Sequence, residues 1–323
     1  MITRRTALIH LAAAGTGLFV QRRRALAKAS QPSTPVNFSI PADACDCHTH
    51  IFGDPARFPF WSGRTYTPET ASIAEMKMLH RALHMDRVVI VHPSVYGSDN
   101  SCTLDAIRQL GPRARGIAVI DDKTSDAQLD ELHRGGIRGI RLNLETFGQT
   151  DPAAARRRFQ TAAHRMSGRP WHLQLYTRLA VIQGLQDQVM AAPVPVVFDH
   201  FGLAQASLDV GQPGFSVLVE LVRSGKSYVK ISGAYRASTR TADYADVTPL
   251  AQTLIAANPQ RILWGTDWPH PTGAPLPGHN ATDVAPLLPI DDGRLLNQLP
   301  IWAPDAAVRK TILVENPARL YGF

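Results

Sequence analysis

His48 and His50 stand two residues apart in "DACDCHTHIF". On an extended strand, residues i and i+2 share a face. Two imidazoles aimed at one spot serve either a metal ion or a polar substrate atom. A third histidine, His200, follows an aspartate in "VVFDHFG", and Asp267 lies in "LWGTDWPHP". A carboxylate facing imidazoles can take a proton from water. Other polar groups punctuate apolar runs: His92 and Ser94, Arg141 and Asn143, His172, Gln174 and Tyr176, then Lys230, Ser232, Arg236 and His270. Arginines among them offer paired N–H donors to a carboxylate. Any one histidine on a buried strand is more often a hydrogen-bonded core residue than a ligand. The chemical case therefore depends on whether the fold brings these groups together.

The elements that must position them alternate regularly. Short apolar runs at 43–48, 88–92, 116–120, 136–143, 170–176, 194–200, 227–232 and 262–267 read as strands bounded by Gly, Pro or Asp. Amphipathic stretches lie between them, among them "ETASIAEMKMLHRALHM", "SDAQLDELHRGG" and "DPAAARRRFQTAAHRMSG". Ser125 or Asp126 can cap the second, and Pro152 suits a first helical turn. The last stretch, "PDAAVRKTILVENPARLYGF", reads as a helix broken near Pro317.

Eight strands alternating with helices predict a closed (β/α)₈ barrel, the TIM-barrel fold, with all strands parallel and ending at one face. An open doubly wound sheet would carry a Gly-rich phosphate loop after its first strand, where this chain has "HTHIFGDP". On the barrel, the polar groups above all fall at strand ends, so they converge on one mouth. The long segment after the eighth strand, "HPTGAPLPGHNATDVAPLLPIDDG", would border that mouth. Arg138 and Arg141 are three apart, so only one of them enters it. Trp61 and Tyr66 lie in the first long loop, where an aromatic walls a pocket or covers the rim. Trp264 is expected in the core.

Other residues have plainer expectations. His80, His84, His133 and His164 sit in helical patterns and read as solvated or capping. Arg156, Arg157 and Arg158 read as an exposed helix face. Cys45 and Cys47 fall on the strand face opposite the histidines and are expected to pack outward as small apolar groups. Their spacing suits a disulfide poorly, and Cys102 is isolated.

"DCHTHIFG", "VVFDHFG", "LWGTDWPHP" and "NPARLYGF", in this order, resemble the amidohydrolase-related hydrolases of the amidohydrolase superfamily. The likeness runs from about residue 43 to 323. "DCHTHIFGDPARFPF", "RTYTPETAS" and "GGIRGIRLN" narrow it to the 2-pyrone-4,6-dicarboxylate lactonases and related sugar-lactone hydrolases. The resemblance implies hydrolysis of a lactone. Asp267 would be the general base, and His48, His50 and His200 would donate hydrogen bonds to the carbonyl oxygen. Arg141 and Arg236 would hold a substrate carboxylate, with Tyr66, Ser94 and Tyr176 around it. One departure bears on the substrate: where those lactonases carry a second arginine six residues after Arg141, this chain has Phe147.

Metal-binding members of the superfamily add a histidine from strand five, where Tyr176 stands here. The expectation is therefore no obligatory metal or other cofactor. The alternative is one divalent ion, zinc, on His48, His50, His200 and Asp267. A metal-dependent decarboxylase or hydratase on the same barrel is the first competing reading. A non-catalytic exported binding barrel is the second.

The 323-residue chain is 44% hydrophobic, enough for a large core. Its net charge of +7 misleads. Residues 1–27 hold Arg4, Arg5, Arg22, Arg23 and Arg24 and no acid, and removing those five from +7 leaves +2. No basic stripe suggests nucleic acid. The expected partner is a small lactone or carboxylate. Thr-Arg-Arg at residues 3–5 precedes an apolar run at 7–20 and then Ala25-Leu26-Ala27, the twin-arginine export pattern. The expected organisation is a signal segment at 1–27, a linker at 28–40 and a barrel domain at 41–323. The mature protein would then be periplasmic and off the membrane.

Overall fold

In the computed structural model, residues 28–146, 148 and 151–323 are described. The expected export segment and Phe147 lie outside these residues. Eight parallel strands form one sheet in sequence order: β1 Cys45–Thr49, β2 Arg87–Val91, β3 Ala114–Ala118, β4 Ile137–Asn143, β5 His172–Tyr176, β6 Val196–Phe198, β7 Ser227–Lys230 and β8 Ile262–Leu263. All eight expected strands are present, within about two residues at most ends. Around them lie α1 Ile73–Leu83, α2 Ser101–Leu110, α3 Asp126–Arg134, α4 Pro152–Arg165, α5 Leu179–Gly184, α6 Gln186–Ala191, α7 Phe215–Arg223 and α8 Thr248–Ala257. Local chemistry starts these helices as expected. Ser72 with Glu75 and Ser125 with Gln128 form capping boxes on α1 and α3, and Asp151 caps α4. None of the described helices is long and apolar enough to cross a membrane.

The chain just after β8 closes the barrel onto β1. Cys47 N donates to Trp264 O (3.0 Å), Asp267 N to His48 O (2.8 Å) and His50 N to Trp268 O (2.8 Å). This seam ties the first histidine pair to the last aspartate through the backbone itself.

The barrel interior is layered. Its lower half is apolar: Cys45, Cys47, Val89, Val91, Ile117, Val197, Tyr228 and Leu263 pack together against Tyr321. The two cysteines therefore point inward, not outward. The reason is an extra residue in β1: Asp46 pairs with Val88 but Thr49 with Ile90. Such a bulge breaks strict alternation, so Cys47 and His48 both reach the interior. All three cysteines are free and buried. Val88, Ile90, Val196, Phe198 and Val229 face the helix layer in the larger core, with Trp264.

Two helical histidines also depart from expectation. His80 is buried, with Nε2 3.2 Å from Asp46 Oδ2. Asp46 faces outward and also accepts from His48 N, Thr266 N and Thr266 Oγ1. A buried carboxylate needs that many donors. His133 Nδ1 accepts the Trp171 indole N–H at 2.9 Å. His84 does cap α1, in the left-handed conformation (φ 57°). Arg156, Arg157 and Arg158 are exposed on α4, as expected.

The final helix is not broken at Pro317 but widened before it. Ala306–Lys310 runs into a π turn over Thr311–Glu315 and on into Asn316–Tyr321. A proline lacks the N–H that the preceding turn would bond, and the wider turn accommodates the gap. Residues 28–40 run along the barrel and are tied to it. Asp291 accepts from Ser33 and Thr34, and Trp268 Nε1 donates to Ser30 O (3.0 Å). At Gly293 a Cβ would lie 1.9 Å from Thr34 O, so only glycine fits beneath the strap. Over the mouth, Val284–Ala285 pairs with Thr67–Pro68, joining the long last loop to the first.

Candidate active site

Asp267 Oδ1 is the centre of the mouth. It lies 3.6, 3.5 and 3.7 Å from the Nε2 atoms of His48, His50 and His200. All four residues are buried. The expected convergence is thus observed. Two of them, His200 (φ 49°) and Asp267 (φ 66°), sit in left-handed backbone, an unfavourable conformation for such residues that turns both side chains inward. Gly233 (φ 59°) lets them approach: a Cβ there would lie 3.0 Å from His200 Nδ1 and 3.3 Å from Asp267 Oδ2.

The carboxylate's two oxygens have different surroundings. Oδ2 accepts from Tyr235 Oη (2.6 Å) and Arg236 Nε (2.5 Å). Oδ1 has no hydrogen-bond partner, and neither has His48 Nε2. At 3.5–3.7 Å the imidazoles are too far to donate to it. Burial alone would raise the Asp267 pKa, but Arg236 foremost, then His200, hold it well below the usual carboxylate range. Burial lowers His200 to about 4 and, with Lys230, lowers His48 well below the usual imidazole range.

Tautomers follow from partners. His50 Nδ1 lies 2.7 Å from Val91 O, which can only accept, so in the neutral ring Nε2 carries the lone pair. His200 Nδ1 lies 2.9 Å from Ser232 Oγ. His48 Nδ1 lies 3.3 Å from both Lys230 Nζ and Asp199 Oδ1. Beneath it, Asp199 accepts from Arg141 Nε (3.2 Å) and Gln174 Nε2 (3.0 Å), while Lys230 donates to Gln174 Oε1 (2.8 Å). Burial opposes the Asp199 charge, but Lys230, His48 and Arg141 outweigh it and hold its pKa well down. Lys230→Met is expected to cost roughly 3–5 kcal/mol of stability, because it strips a buried carboxylate of a cation. Urea denaturation would measure it, and a loss below about 1 kcal/mol would mean Arg141 and Gln174 suffice.

The expected substrate-binding residues surround the centre. Tyr66, Ser94, Arg141, Tyr176 and Arg236 line one small cavity with His50, His200 and Asp267. Arg141 stacks over the Tyr176 ring (5.0 Å), and Tyr176 meets His200 edge-on (5.5 Å). Arg138 stays outside, on His133 O, as its parity requires. Arg236 is held at two of its nitrogens: its Nε is on Asp267 and its Nη2 on Pro271 O (3.1 Å). Asn143 is likewise occupied, holding Thr146 through both side-chain atoms. His172 lies lower in the barrel, edge-on to Tyr321. His270 pairs with buried Asp292 (3.0 Å) and packs under Tyr235.

Tyr235 is the functional residue the sequence reading missed. Its only signal is its place beside Arg236, just after Gly233. The roles of Asp46 and Lys230 as supports were also not foreseen.

Three of the four central residues are placed to hold a cation. His48, His200 and Asp267 offer ligand atoms within 4.8 Å of one another. Oδ1 and His48 Nε2, both buried without a hydrogen-bond partner, are among the atoms that could ligate it. The expectation of no metal, drawn from the absent strand-five histidine, finds no support in this geometry.

The pH dependence of stability follows from the same burial. Besides His200, buried His92 is lowered to about 4 and His172 to about 3. Unfolded imidazoles bind protons near pH 6.5. Between pH 6.5 and 4 the unfolded chain therefore holds more protons than the folded one, and stability falls as pH falls. Thermal melting from pH 7.5 to 4 should show a steep loss of Tm in that window; a flat profile would contradict buried neutral imidazoles.

A parallel (β/α)₈ barrel that gathers an HxH strand end, a second-half histidine and a last-strand aspartate at its C-terminal face has the architecture of a barrel enzyme with its active site there. The chain belongs to the amidohydrolase family, whose model matches residues 45–323. It is 35% identical to a 4-sulfomuconolactone hydrolase of Rhizobium radiobacter over 295 residues, 90% of this chain and 93% of that one. It is 34% identical over 305 residues to a 2-pyrone-4,6-dicarboxylate hydrolase of Comamonas testosteroni, 90% and 94% of the two. Among solved structures, a putative 2-pyrone-4,6-dicarboxylic acid hydrolase from Pseudomonas putida superposes with a TM-score of 0.73 at 29% identity, covering 88% of this chain and 98% of that one.

Proposed function

We propose that this protein hydrolyses the ester bond of a carboxylate-bearing lactone. One observation carries the reading: a buried carboxylate held ionised beside Arg236, with one oxygen unpartnered and facing three imidazole nitrogens. The relatives named above as lactone hydrolases support it.

Arg141 keeps Nε on Asp199, which leaves its terminal nitrogens to grip a substrate carboxylate beside Tyr66, Ser94 and Tyr176. The lactone carbonyl then lies among the imidazoles, and a water lies against Asp267 Oδ1. Oδ1 takes the water's proton as the oxygen attacks the carbonyl carbon. The ring C–O bond breaks, and the proton passes to the leaving oxygen. Charge on the carbonyl oxygen is met by His48 and His200, whose Nε2 atoms can bear hydrogen; in a neutral His50 the hydrogen is on Nδ1, facing Val91 O. Arg236 also answers to the substrate. A carboxylate that draws its guanidinium off Asp267 raises the basicity of that carboxylate when the base is needed.

The same four residues, His48, His50, His200 and Asp267, would hold one divalent ion, zinc by donor type. Bound there, it would polarise the carbonyl and lower the pKa of the attacking water. Residues 1–27 match the twin-arginine pattern, which supports a periplasmic location.

A panel of lactones with and without carboxylates, each assayed with and without chelator, tests the function. Turnover confined to carboxylated lactones is expected. Decarboxylation or hydration without lactone opening would favour the competing metal-dependent reading.

A further inference from the structure

Lys230 ends β7 and is fully buried, a rare state for a lysine. Charge balance alone does not account for where its ammonium sits. Asp199 Oδ2 already accepts from the Arg141 guanidinium (3.2 Å) and from Gln174 Nε2 (3.0 Å). Lys230 Nζ lies 3.4 Å from the other oxygen, Oδ1, yet Oδ1 has no hydrogen-bond partner. The hydrogen bonds of Lys230 go elsewhere: to Gln174 Oε1 (2.8 Å) and to His48 Nδ1 (3.3 Å).

Those contacts bear on the ring at the centre of the mouth. A neutral imidazole carries hydrogen on one nitrogen and a lone pair on the other. An ammonium only donates, and a carboxylate only accepts. His48 Nδ1 lies 3.3 Å from one of each, Lys230 Nζ and Asp199 Oδ1. Lys230 therefore favours hydrogen on Nε2, and Asp199 favours it on Nδ1. Only the contact to Lys230 has hydrogen-bond geometry. Gln174 holds both selectors in place, since its amide donates to Asp199 and accepts from Lys230 and cannot turn over without losing both bonds. The two forms of His48 offer the mouth opposite chemistry. Nε2 is buried without a partner, 3.6 Å from Asp267 Oδ1. With hydrogen it donates to a carbonyl oxygen; bare, it only accepts or ligates a cation.

We propose that Lys230 is a positioning residue: by donating to Nδ1 it keeps the His48 hydrogen on Nε2, where it meets the lactone carbonyl oxygen. Asp199 Oδ1 is the acceptor that takes this hydrogen onto Nδ1 once Lys230 is removed. The hydrogen changes nitrogen within one neutral ring, so the protein neither gains nor loses a proton. The use made of the Nε2 hydrogen rests on the lactone-hydrolase reading; its place on the ring does not.

NMR of chelator-stripped protein carrying ¹⁵N-labelled histidine tests the place directly, because hydrogen-bearing and bare ring nitrogens resonate far apart. The His48 ring is assigned through bonds from its own backbone. Wild-type protein is expected to show hydrogen on Nε2 and a bare Nδ1, and Lys230→Met the reverse. Wild-type hydrogen on Nδ1 overturns the proposal, and this spectrum decides even if Lys230→Met proves too unstable to purify. Hydrogen that stays on Nε2 in folded Lys230→Met overturns it as well. Kinetics test the use. With chelator present, Lys230→Met should lower kcat on a carboxylated lactone about a hundredfold, the scale of one lost oxyanion donor, and leave KM unchanged. A loss confined to KM would trace to a displaced Arg141 and reject the carbonyl role, as would no loss at all. If every lactone is inert while both spectra come out as expected, the placement by Lys230 stands and the lactone-hydrolase reading alone falls.

Discussion

Asp267→Asn is expected to lower kcat/KM on a carboxylated lactone by about 10²–10⁴-fold, the range for a positioned general base. The substitution is nearly isosteric. An amide oxygen can still accept from Tyr235 and Arg236, so the fold at the seam should survive. What is lost is the proton acceptor at Oδ1, which the structure leaves without a hydrogen-bond partner among three imidazoles. The loss should fall mainly on kcat, since Arg141, Tyr66 and Ser94 still hold the substrate. A second consequence sharpens the test. Arg236 would then face an uncharged amide and be freer to bind a substrate carboxylate, so KM should hold steady or fall. The variant should be checked for an unchanged melting profile before assay. Wild-type turnover by folded Asp267→Asn protein would mean that another group activates the water. A binding barrel without catalysis would show unchanged ligand affinity and no rate to lose in either form.

Much of this arrangement was legible in the sequence because barrels impose a simple rule: strand ends meet at one face. The order of His48, His50, His200 and Asp267 along alternating strands was enough to expect them together, and the three Nε2 atoms lie 3.5–3.7 Å from Asp267 Oδ1. The parity of Arg138 and Arg141 was readable for the same reason. The failures have physical causes. Strict alternation placed Cys45 and Cys47 outside, but one extra residue in β1 turned them inward. His80 was read by its helical surroundings alone, whereas its partner Asp46 lies 34 positions away on β1. The resemblance placed Arg236 at the substrate; its ion pair with Asp267 depends on how the Gly233 turn folds, which no local pattern encodes. Tyr235 carries no motif at all. Long-range polar pairing, in short, was the invisible part, and it is what sets the charge state of the site.

That charge state leads to the second large effect. Protein stripped with a chelator is expected to bind one equivalent of Zn²⁺ by calorimetry and to melt at a higher temperature when reloaded, since an ion that binds only the folded state stabilises it. The reason is the imbalance at the centre. His50 donates from Nδ1 to Val91 O, so in the neutral ring a lone pair faces Asp267 Oδ1. His48 Nε2 and Oδ1 are both buried without partners, each at a cost of about 1–3 kcal/mol. A proton could relieve the cluster, but burial lowers His200 to about 4 and so resists protonation at neutral pH. A cation relieves it without that penalty. Arg236 works against tight binding, because it already neutralises Asp267 through Oδ2 and leaves Oδ1 as the single carboxylate ligand atom. Zinc affinity should therefore drop on the order of a hundredfold in His200→Ala, and a comparable drop is expected in Asp267→Asn. Both losses are read from the titration, with no reference to turnover. If stripped protein takes up no divalent ion yet opens its lactone at full rate, the three imidazoles act on the substrate directly, and the unpaired oxygen at the centre is where the attacking water alone belongs.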